Sequence, residues 1–261
     1  MNIVVLVKQV PDTWAERKLK ADDKTLDRAS VDVVMNEIDE YAVEEALKLK
    51  EAAGGEASVT ILTMGPDRAV ETIRKALSMG ADKAVHLSDE ALAGSDAIQT
   101  SYAIAKVLDT LEYDLVICGS EATDSRMSVM AALLAERTGK PQLSGARKVT
   151  VDGGNVKIER QTDNGYDVVE APLPAILSVV EKINEPRYPS FKGIMAAKSK
   201  PLTTLTTADA GIEADKVGLA NAPSQVVEFS NKPPRQAGQI VKDEGDGGAK
   251  VADFLASQKI I

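Results

Sequence analysis

The chain has 261 residues, of which 44% are hydrophobic and 27% are charged. These proportions are ordinary for a globular protein with a sizeable core. The formal net charge of −9 argues against generic nucleic-acid binding, because there is no basic surplus to displace counterions. A single cysteine, Cys118, and a single histidine, His86, exclude an intramolecular disulfide and a Cys/His zinc site. No apolar run approaches the ~20 residues of a membrane-spanning helix, so we expect a cytoplasmic protein without a membrane-inserted segment.

The first half of the chain alternates between strand and helix patterns. Buried strands are predicted at 3–7, 58–63, 83–87 and 114–118. Helices are predicted at 40–53, after the turn at 65–67, after Ser95 as the N-cap, and at 127–138. Gly54 and Gly55 are expected to end the first of these helices. The alternation predicts an α/β fold, a Rossmann-like parallel sheet with helices on both faces.

The pattern changes after about residue 146. Gly153 and Gly154 separate two strand patterns, 148–152 and 155–161, which predicts a β-hairpin. A second turn at 163–165 leads to strand patterns at 167–170 and 175–180, and we expect these added strands to be antiparallel. Beyond Lys200 the chain is rich in loops, with one short helix predicted at 249–258. The sequence therefore predicts an α/β nucleotide-binding domain over 1–200 and an extended C-terminal arm over 201–261.

The loops that follow the parallel strands are the expected ligand site. Ligands of open parallel sheets bind beyond the carboxyl ends of the strands. The segment GSEATDSRMSVMAA (119–132) is the richest of these loops, because small residues let a ligand approach backbone N–H groups. The following helix N-terminus and Arg126 would favour a phosphate. The alternative is an ordinary strand–helix loop in which Asp124 or Ser125 is the N-cap.

Several single residues have two possible roles. Asn36 and Asp39 could bind a ribose or a base, or could cap the helix that follows. His86 and Cys118 are expected in structural positions. Trp14 lies in a polar loop, where it either contacts a ligand or partner or anchors local packing. The sequence holds no nucleophilic-serine elbow, Cys–His pair, HExxH motif or carboxylate cluster suited to acid–base work, so catalysis by the chain alone is not supported.

The segment INEPRYPSFKGIMAAKSK (183–200) resembles a known family. It is a loop interrupted by prolines and followed by a short basic helix. Its NEPRY and GIMxAK patterns are similar to those of the beta subunit of electron transfer flavoproteins. The same family is matched by VKQVPD near the N-terminus and by the segments 35–51, 72–87 and 173–179. The resemblance therefore covers nearly the whole chain.

This resemblance implies a heterodimer in which an alpha subunit holds most of an FAD and the beta subunit binds an AMP that has no chemical role. The implied AMP contacts are Leu6, Asn36, Glu37, Ile38, Asp39, Met64, Gly119, Ser120, Glu121, Ala122, Thr123, Asp124, Ser125, Arg126, Met127, Ser128, Val129 and Met130. The flavin would face Thr13, Trp14 and Ile38. The arm over 201–261 would pack on the alpha subunit.

The resemblance also implies that the segment 183–200 docks client dehydrogenases. The residues implied in docking are Arg187, Tyr188, Phe191, Ile194 and Met195, with Phe191 in the place of the family's bulky apolar residue. The implied function is that of an electron carrier rather than an enzyme. It would accept electrons from acyl-CoA-type and other dehydrogenases of fatty acid oxidation and pass them to a membrane quinone oxidoreductase.

The chain departs from the family pattern at several places, Asn164 and Asp167 near the second turn among them. Arg126 stands where an acidic residue is common, Val129 where a glutamine is common, and Gln161 follows Arg160 where the pattern is acidic.

Two other functions remain open. A stand-alone adenine-nucleotide sensor of the universal stress type would share the crevice but need neither flavin nor partner. A nucleotide-hydrolysing or adenylating enzyme would need a Gly/Ser-rich loop after the first strand, where this chain has KQVPD.

Overall fold

A computed structural model describes residues 1–54, 56–235, 238 and 240–261, in two compact units, Met1–Val227 and Glu228–Ile261. The first unit contains a nine-stranded sheet, a two-stranded ribbon and five α-helices. The second contains one α-helix, α6 (Gly247–Ser257), within its described part. No helix of the described residues is long and apolar enough to cross a membrane. Gly55, predicted to help end the first helix, lies outside the described residues.

Seven strands form the parallel part of the sheet. They are β1 (Asn2–Leu6), β4 (Ser58–Met64), β5 (Lys83–Leu87), β6 (Leu115–Gly119), β7 (Gln142–Asp152), β10 (Ala175–Val179) and β11 (Leu202–Leu205). Two further strands, β8 (Asn155–Thr162) and β9 (Gly165–Pro172), continue the sheet, and β8 pairs antiparallel with both β7 and β9. The order across the sheet is β11-β5-β4-β1-β6-β10-β7-β8-β9. Along the chain, β4 and β5 are added on one side of β1, and β6 then lies on its other side. The boundary between β1 and β6 is therefore where the strand order reverses.

The helices cover both faces of the sheet. They are α1 (Glu37–Ala52), α2 (Val70–Met79), α3 (Ala97–Leu108), α4 (Met130–Thr138) and α5 (Phe191–Ala197). Alternate strand residues feed two cores, because successive side chains of a strand point to opposite faces. Ile3 and Val5 join the core under α1 and α2, whereas Val4 and Leu6 join the core under α3 and α4. The predicted α/β class, with a parallel sheet, helices on both faces and added antiparallel strands, is confirmed.

Two predictions about strand arrangement need correction. Segment 175–180 was expected to be antiparallel, but β10 inserts between β6 and β7 and pairs parallel with both. β10 is fully buried and apolar except for Ser178, which suits a strand in the interior of the sheet. A ribbon of β2 (Gln9–Pro11) and β3 (Val33–Met35), which the sequence did not predict, pairs antiparallel and flanks residues 12–32. The segment beyond Lys200, predicted to be an arm, begins with β11, which pairs with β5.

Three helix starts also differ from prediction, and the first is that of α1, which begins at Glu37 rather than at 40, so that Asp39 lies in its first turn. The N-cap of α3 is Asp96 rather than Ser95, because Asp96 and Gln99 form a reciprocal capping box. Helix α4 begins at Met130 rather than at 127, since Arg126 and Ser128 have left-handed backbone conformations, with φ of 49° and 54°. Its N-cap position is Val129, without a side-chain bond, so neither Asp124 nor Ser125 caps this helix.

Candidate nucleotide crevice and docking surface

The carboxyl ends of β1, β4 and β6 lie side by side where the chain changes direction across the sheet, and we call the space beyond them the crevice. Leu6 and Met64 end β1 and β4, and Gly119 ends β6. Open α/β sheets bind ligands at such a switch point. The loop over 120–129, which we call the crevice loop, leads from β6 into α4 and forms one wall.

Asn36 holds the crevice loop to the start of α1. Its Oδ1 accepts a hydrogen bond from the Thr123 N–H at 3.0 Å, and its Nδ2 donates to the Glu121 carbonyl at 2.9 Å. The side chain is fully buried and makes no capping bond to α1, although Asn36 occupies the N-cap position. Asn36 therefore uses its amide to shape the loop.

Asp39 joins the loops that follow β1 and β6. Its Oδ2 accepts from the Lys8 N–H at 2.8 Å, and its Oδ1 accepts from the Gly119 N–H at 3.3 Å. Burial raises the pKa of the Asp39 carboxyl to about 7, in spite of these hydrogen bonds. A Cβ on Gly119 would lie 2.5 Å from Asp39 Oδ1 and 3.0 Å from the Ile38 side chain. Only glycine fits at the point where β6 meets α1.

Basic side chains of the N-terminal segment converge on the crevice loop. The buried Asp124 carboxylate pairs with Lys8 Nζ at 2.9 Å and with Arg28 Nη2. Burial acts to raise the pKa of Asp124, but Lys8 and Arg28 outweigh it and hold the pKa below its usual value. Arg17 Nη1 donates to the Thr123 carbonyl at 2.7 Å. Sequence analysis missed these three cations, because each lies about a hundred residues from its partner.

The crevice loop retains donors that no described residue satisfies. The Thr123 hydroxyl and Arg28 Nη1 are buried without a hydrogen-bond partner in the described part of the chain. The backbone N–H groups of Met127, Ser128 and Val129 donate to no backbone carbonyl among those residues. The Arg126 guanidinium is largely exposed, 3.9 Å from Glu121. This set of donors at a helix start suits an anionic group such as a phosphate.

The remaining predicted nucleotide contacts lie around the same crevice at different depths. Leu6 and Ile38 are buried, and Glu37 is exposed at the start of α1. The half-buried members are Met64, Ser120, Glu121, Ala122, Asp124, Val129 and Met130, and the exposed members are Ser125, Arg126, Met127 and Ser128. The structure thus brings the predicted residues together from four separate segments.

Trp14 projects from the segment between β2 and β3 and is 95% exposed. The alternative that it anchors packing within this chain is therefore wrong. Thr13, beside it, donates from Oγ1 to Glu37 Oε1 at 3.3 Å. This contact places the 13–14 segment next to the N-terminus of α1, and hence next to the crevice.

His86 and Cys118 occupy buried positions with local contacts. His86 Nε2 lies 2.9 Å from the Gly65 carbonyl oxygen. Cys118 Sγ donates to the Leu177 carbonyl at 3.6 Å. Burial, together with the neighbouring Asp39 carboxylate, raises the pKa of the Cys118 thiol to about 12. Both side chains serve the fold, as the sequence predicted.

The predicted docking residues lie on α5 and on the loop before it. Tyr188 is 96% and Phe191 79% exposed, and Ile194 and Met195 are about half exposed. All four exposed side chains lie within residues 188–195, and we call them together the apolar surface. Arg187 differs from them, because its guanidinium turns inward to the carboxylates of α1.

Comparison with known proteins gives consistent matches over most or all of the chain. The model of the electron transfer flavoprotein domain family matches residues 23–210. The electron transfer flavoprotein subunit beta of Mycobacterium tuberculosis (strain ATCC 25618 / H37Rv) is 58% identical over 264 residues, covering 100% of this chain and 99% of that protein. The subunit of the same name from Megasphaera elsdenii is 37% identical, with complete coverage of both. Subunit CarD of the caffeyl-CoA reductase-Etf complex of Acetobacterium woodii is 35% identical over 99% of this chain and 97% of its own.

Proposed function

Because this chain belongs to the electron transfer flavoprotein family, among its beta subunits, we propose that it pairs with an alpha subunit and carries electrons from dehydrogenases to a quinone oxidoreductase of the membrane. The observation that carries this proposal is the 58% identity to a named beta subunit over the full length of both proteins. Electron carriers need no acid, base or nucleophile of their own, which agrees with a sequence that offers none.

We further propose that the redox cofactor is an FAD held mainly by the alpha subunit and facing the exposed residues Thr13 and Trp14, whereas Ile38 is buried within this chain. FAD would supply the redox chemistry, and this chain would contribute its surroundings. Support comes from Trp14, an almost fully exposed indole next to the start of α1. A large aromatic side chain without cover within its own chain is typical of an interface residue.

The crevice is proposed to bind AMP, without a chemical role. The unpartnered donors of the crevice loop fit a phosphate. Lys8, Arg17 and Arg28 add positive charge around the same loop, partly offset by Asp124. The bond from Asn36 to Thr123 keeps this loop in place, so its donors need no rearrangement on binding.

Client dehydrogenases, those that oxidise acyl-CoA among them, are proposed to dock on the apolar surface formed by Tyr188, Phe191, Ile194 and Met195. Exposed aromatic side chains at the centre of an apolar patch are common anchors of binding energy. Phe191 occupies the first position of α5, where the helix directs it outward.

The test is to co-express the chain with an alpha subunit, purify the heterodimer, denature it and identify the released nucleotides by mass. One FAD and one AMP per heterodimer is the expected result. Two FAD would replace the AMP proposal with a second redox site, as in a bifurcating carrier. A chain that purifies without an alpha subunit and without flavin would contradict the carrier proposal and favour the nucleotide sensor.

A further inference from the structure

The loop that leads into α5 is tied along one face of α1. Asn184 Nδ2 donates to the Tyr41 carbonyl and to Glu45 Oε2, each at 3.0 Å. Three residues later, Arg187 reaches Glu44 and Glu51. Residues 41, 44, 45 and 51 share one face of a helix of 3.6 residues per turn. The loop is therefore held along this polar face of α1 by hydrogen bonds and ion pairs.

Arg187 makes the strongest of these contacts. Its Nε and Nη2 bind the two Glu44 oxygens at 2.8 and 2.9 Å, a bidentate pair, and Nη1 binds Glu51 Oε1 at 2.6 Å. The Arg187 backbone N–H also donates to Glu44 Oε2 at 3.2 Å. Hydrogen bonds to Glu44 and Glu51 raise the pKa of the guanidinium further above its usual range. Because the Glu44 side chain is only 8% exposed, this pair is well protected from solvent.

The far end of the segment is fixed by helix packing. A Cβ on Gly193 would lie 2.4 Å from the Ser78 carbonyl oxygen, so α5 lies directly against the backbone of α2. Arg74 Nη1 donates to the Ala197 carbonyl at 2.6 Å, at the end of α5. Tyr188 and Phe191 thus lie between two fixed points.

We propose that Arg187 is a positioning residue: it holds the loop before α5 on α1, so that Tyr188 and Phe191 are presented to the client in one arrangement. This inference rests on the proposed docking function and assigns Arg187 a role within the chain rather than contact with the client. All three guanidinium nitrogens are already occupied by Glu44 and Glu51. The neighbouring Tyr188 side chain, in contrast, is almost fully exposed.

The expected size of the effect follows from populations. Without the contacts of Arg187 to Glu44 and Glu51, the loop would adopt more than one arrangement. If it adopts the binding arrangement only a tenth to a fifth of the time, its apparent affinity for the client falls by the same factor, about five- to tenfold. Electron transfer within the docked complex should change little, because Arg187 contacts neither the crevice loop nor the 13–14 segment.

The experiment uses the purified heterodimer with Arg187→Gln, Glu44→Gln or Glu51→Gln, and Arg137→Gln as the control. Arg137 also ties two elements together, bonding the Ser101 hydroxyl and the Ile98 carbonyl at 2.8 Å, but on the opposite face of the sheet. Hydrogen exchange of peptides covering 185–195 is measured first. Reduction of the heterodimer by an acyl-CoA dehydrogenase with its acyl-CoA substrate then gives KM and kcat, and flavin absorbance reports heterodimer content.

Arg187→Gln and Glu44→Gln should each raise KM about five- to tenfold, leave kcat within about twofold, and speed exchange in 185–195. Glu51→Gln should have a smaller effect, because Glu51 is 60% exposed, and Arg187→Lys should recover part of the loss. Arg137→Gln should leave exchange in 185–195 unchanged. A raised KM without faster exchange would show direct contact with the client and overturn the proposal, as would an unchanged KM.

Failure of the proposed function would look different. If the wild-type heterodimer is not reduced by the dehydrogenase, client docking fails, and the exchange measurement alone decides whether Arg187 holds the loop. If Arg187→Gln gives no flavin-containing heterodimer, Glu44→Gln is tested in its place. It weakens the contact of Arg187 with residue 44 while leaving the guanidinium paired with Glu51.

Discussion

Asp39 is a buried carboxyl at the point where α1, the end of β1 and the end of β6 meet. Its pKa is raised to about 7 by burial, from an ordinary value of 3.8. Between those two pH values the folded chain binds more protons at this site than the unfolded chain does. The contribution of Asp39 to stability is therefore full below about pH 4 and is lost as pH rises to about 7.

Replacing Asp39 by asparagine should remove this pH dependence, because an amide does not titrate. The wild-type advantage in melting temperature over Asp39→Asn should shrink as pH rises from 5 to 8. The substitution removes a pH dependence of the free energy of unfolding of at most about 1.4 kcal/mol per pH unit, the limit for one titrating group. Calorimetry of the two heterodimers at four pH values within that range is the measurement. A difference that stays constant, or grows with pH, would show that the hydrogen bonds from Lys8 and Gly119 outweigh desolvation.

Cys118 should be chemically silent in the folded protein. The thiol is buried and its pKa is raised to about 12, so almost no thiolate forms at pH 8. We expect its reaction with a chromogenic disulfide reagent at pH 8 to be at least about a hundredfold slower than in guanidinium chloride. Rapid labelling of the native heterodimer would contradict the described burial.

At the scale of elements, the packing of α5 on α2 depends on one glycine. Gly193→Ala would place a methyl group 2.4 Å from the Ser78 carbonyl oxygen, so α5 must move away. We expect a loss of about 1–3 kcal/mol, the usual effect of overpacking, measured as a lower urea midpoint. Gly248→Ala is the matched control, since an added Cβ there meets nothing within 4 Å. Equal midpoints for the two variants would refute the close approach of the two helices.

The mainly apolar strands could be predicted from sequence, whereas the shortest strands could not. Strands β1, β4, β5, β6 and β10 are mainly apolar, and their hydrophobic patterns locate them, but of β7 only the part from residue 148 onward was predicted. Strands β2 and β3 have three residues each, too few to show an alternating pattern. In β11 the two central residues are threonines facing solvent, so its pairing with β5 leaves no apolar signal. The direction of β10 depends on its neighbours in space, which no local pattern encodes.

The crevice was predictable as a place but not as a set of contacts. A rule about strand ends and a family resemblance both led to the loops after β1 and β6. Neither could show that the side chains of Asn36 and Asp39 form hydrogen bonds with the protein backbone. Nor could either show that Lys8 and Arg28 both pair with Asp124. These pairs are separated by 116 and 96 residues, and only the assembled sheet brings them together.

At the scale of the whole molecule, the first unit holds the complete sheet and both cores. All residues of the two core clusters lie between Ile3 and Val217. In the second unit, Glu228–Ile261, helix α6 contains no buried residue. Within its described part that unit therefore lacks a core of its own, which is typical of a segment that gains its packing from a partner.

A chain ending at Val227 should fold but associate poorly with the alpha subunit. Because both cores remain intact, we expect its far-ultraviolet circular dichroism and its melting temperature to stay close to those of the full chain. Co-expressed with a tagged alpha subunit, it should be recovered in lower yield and with less flavin per chain than the full-length protein. Lysine replacements of Phe254 and Val251 in the full chain provide the matched control, since they change α6 without removing it. Undiminished recovery and flavin content in both cases would place the interface with the alpha subunit entirely on the first unit.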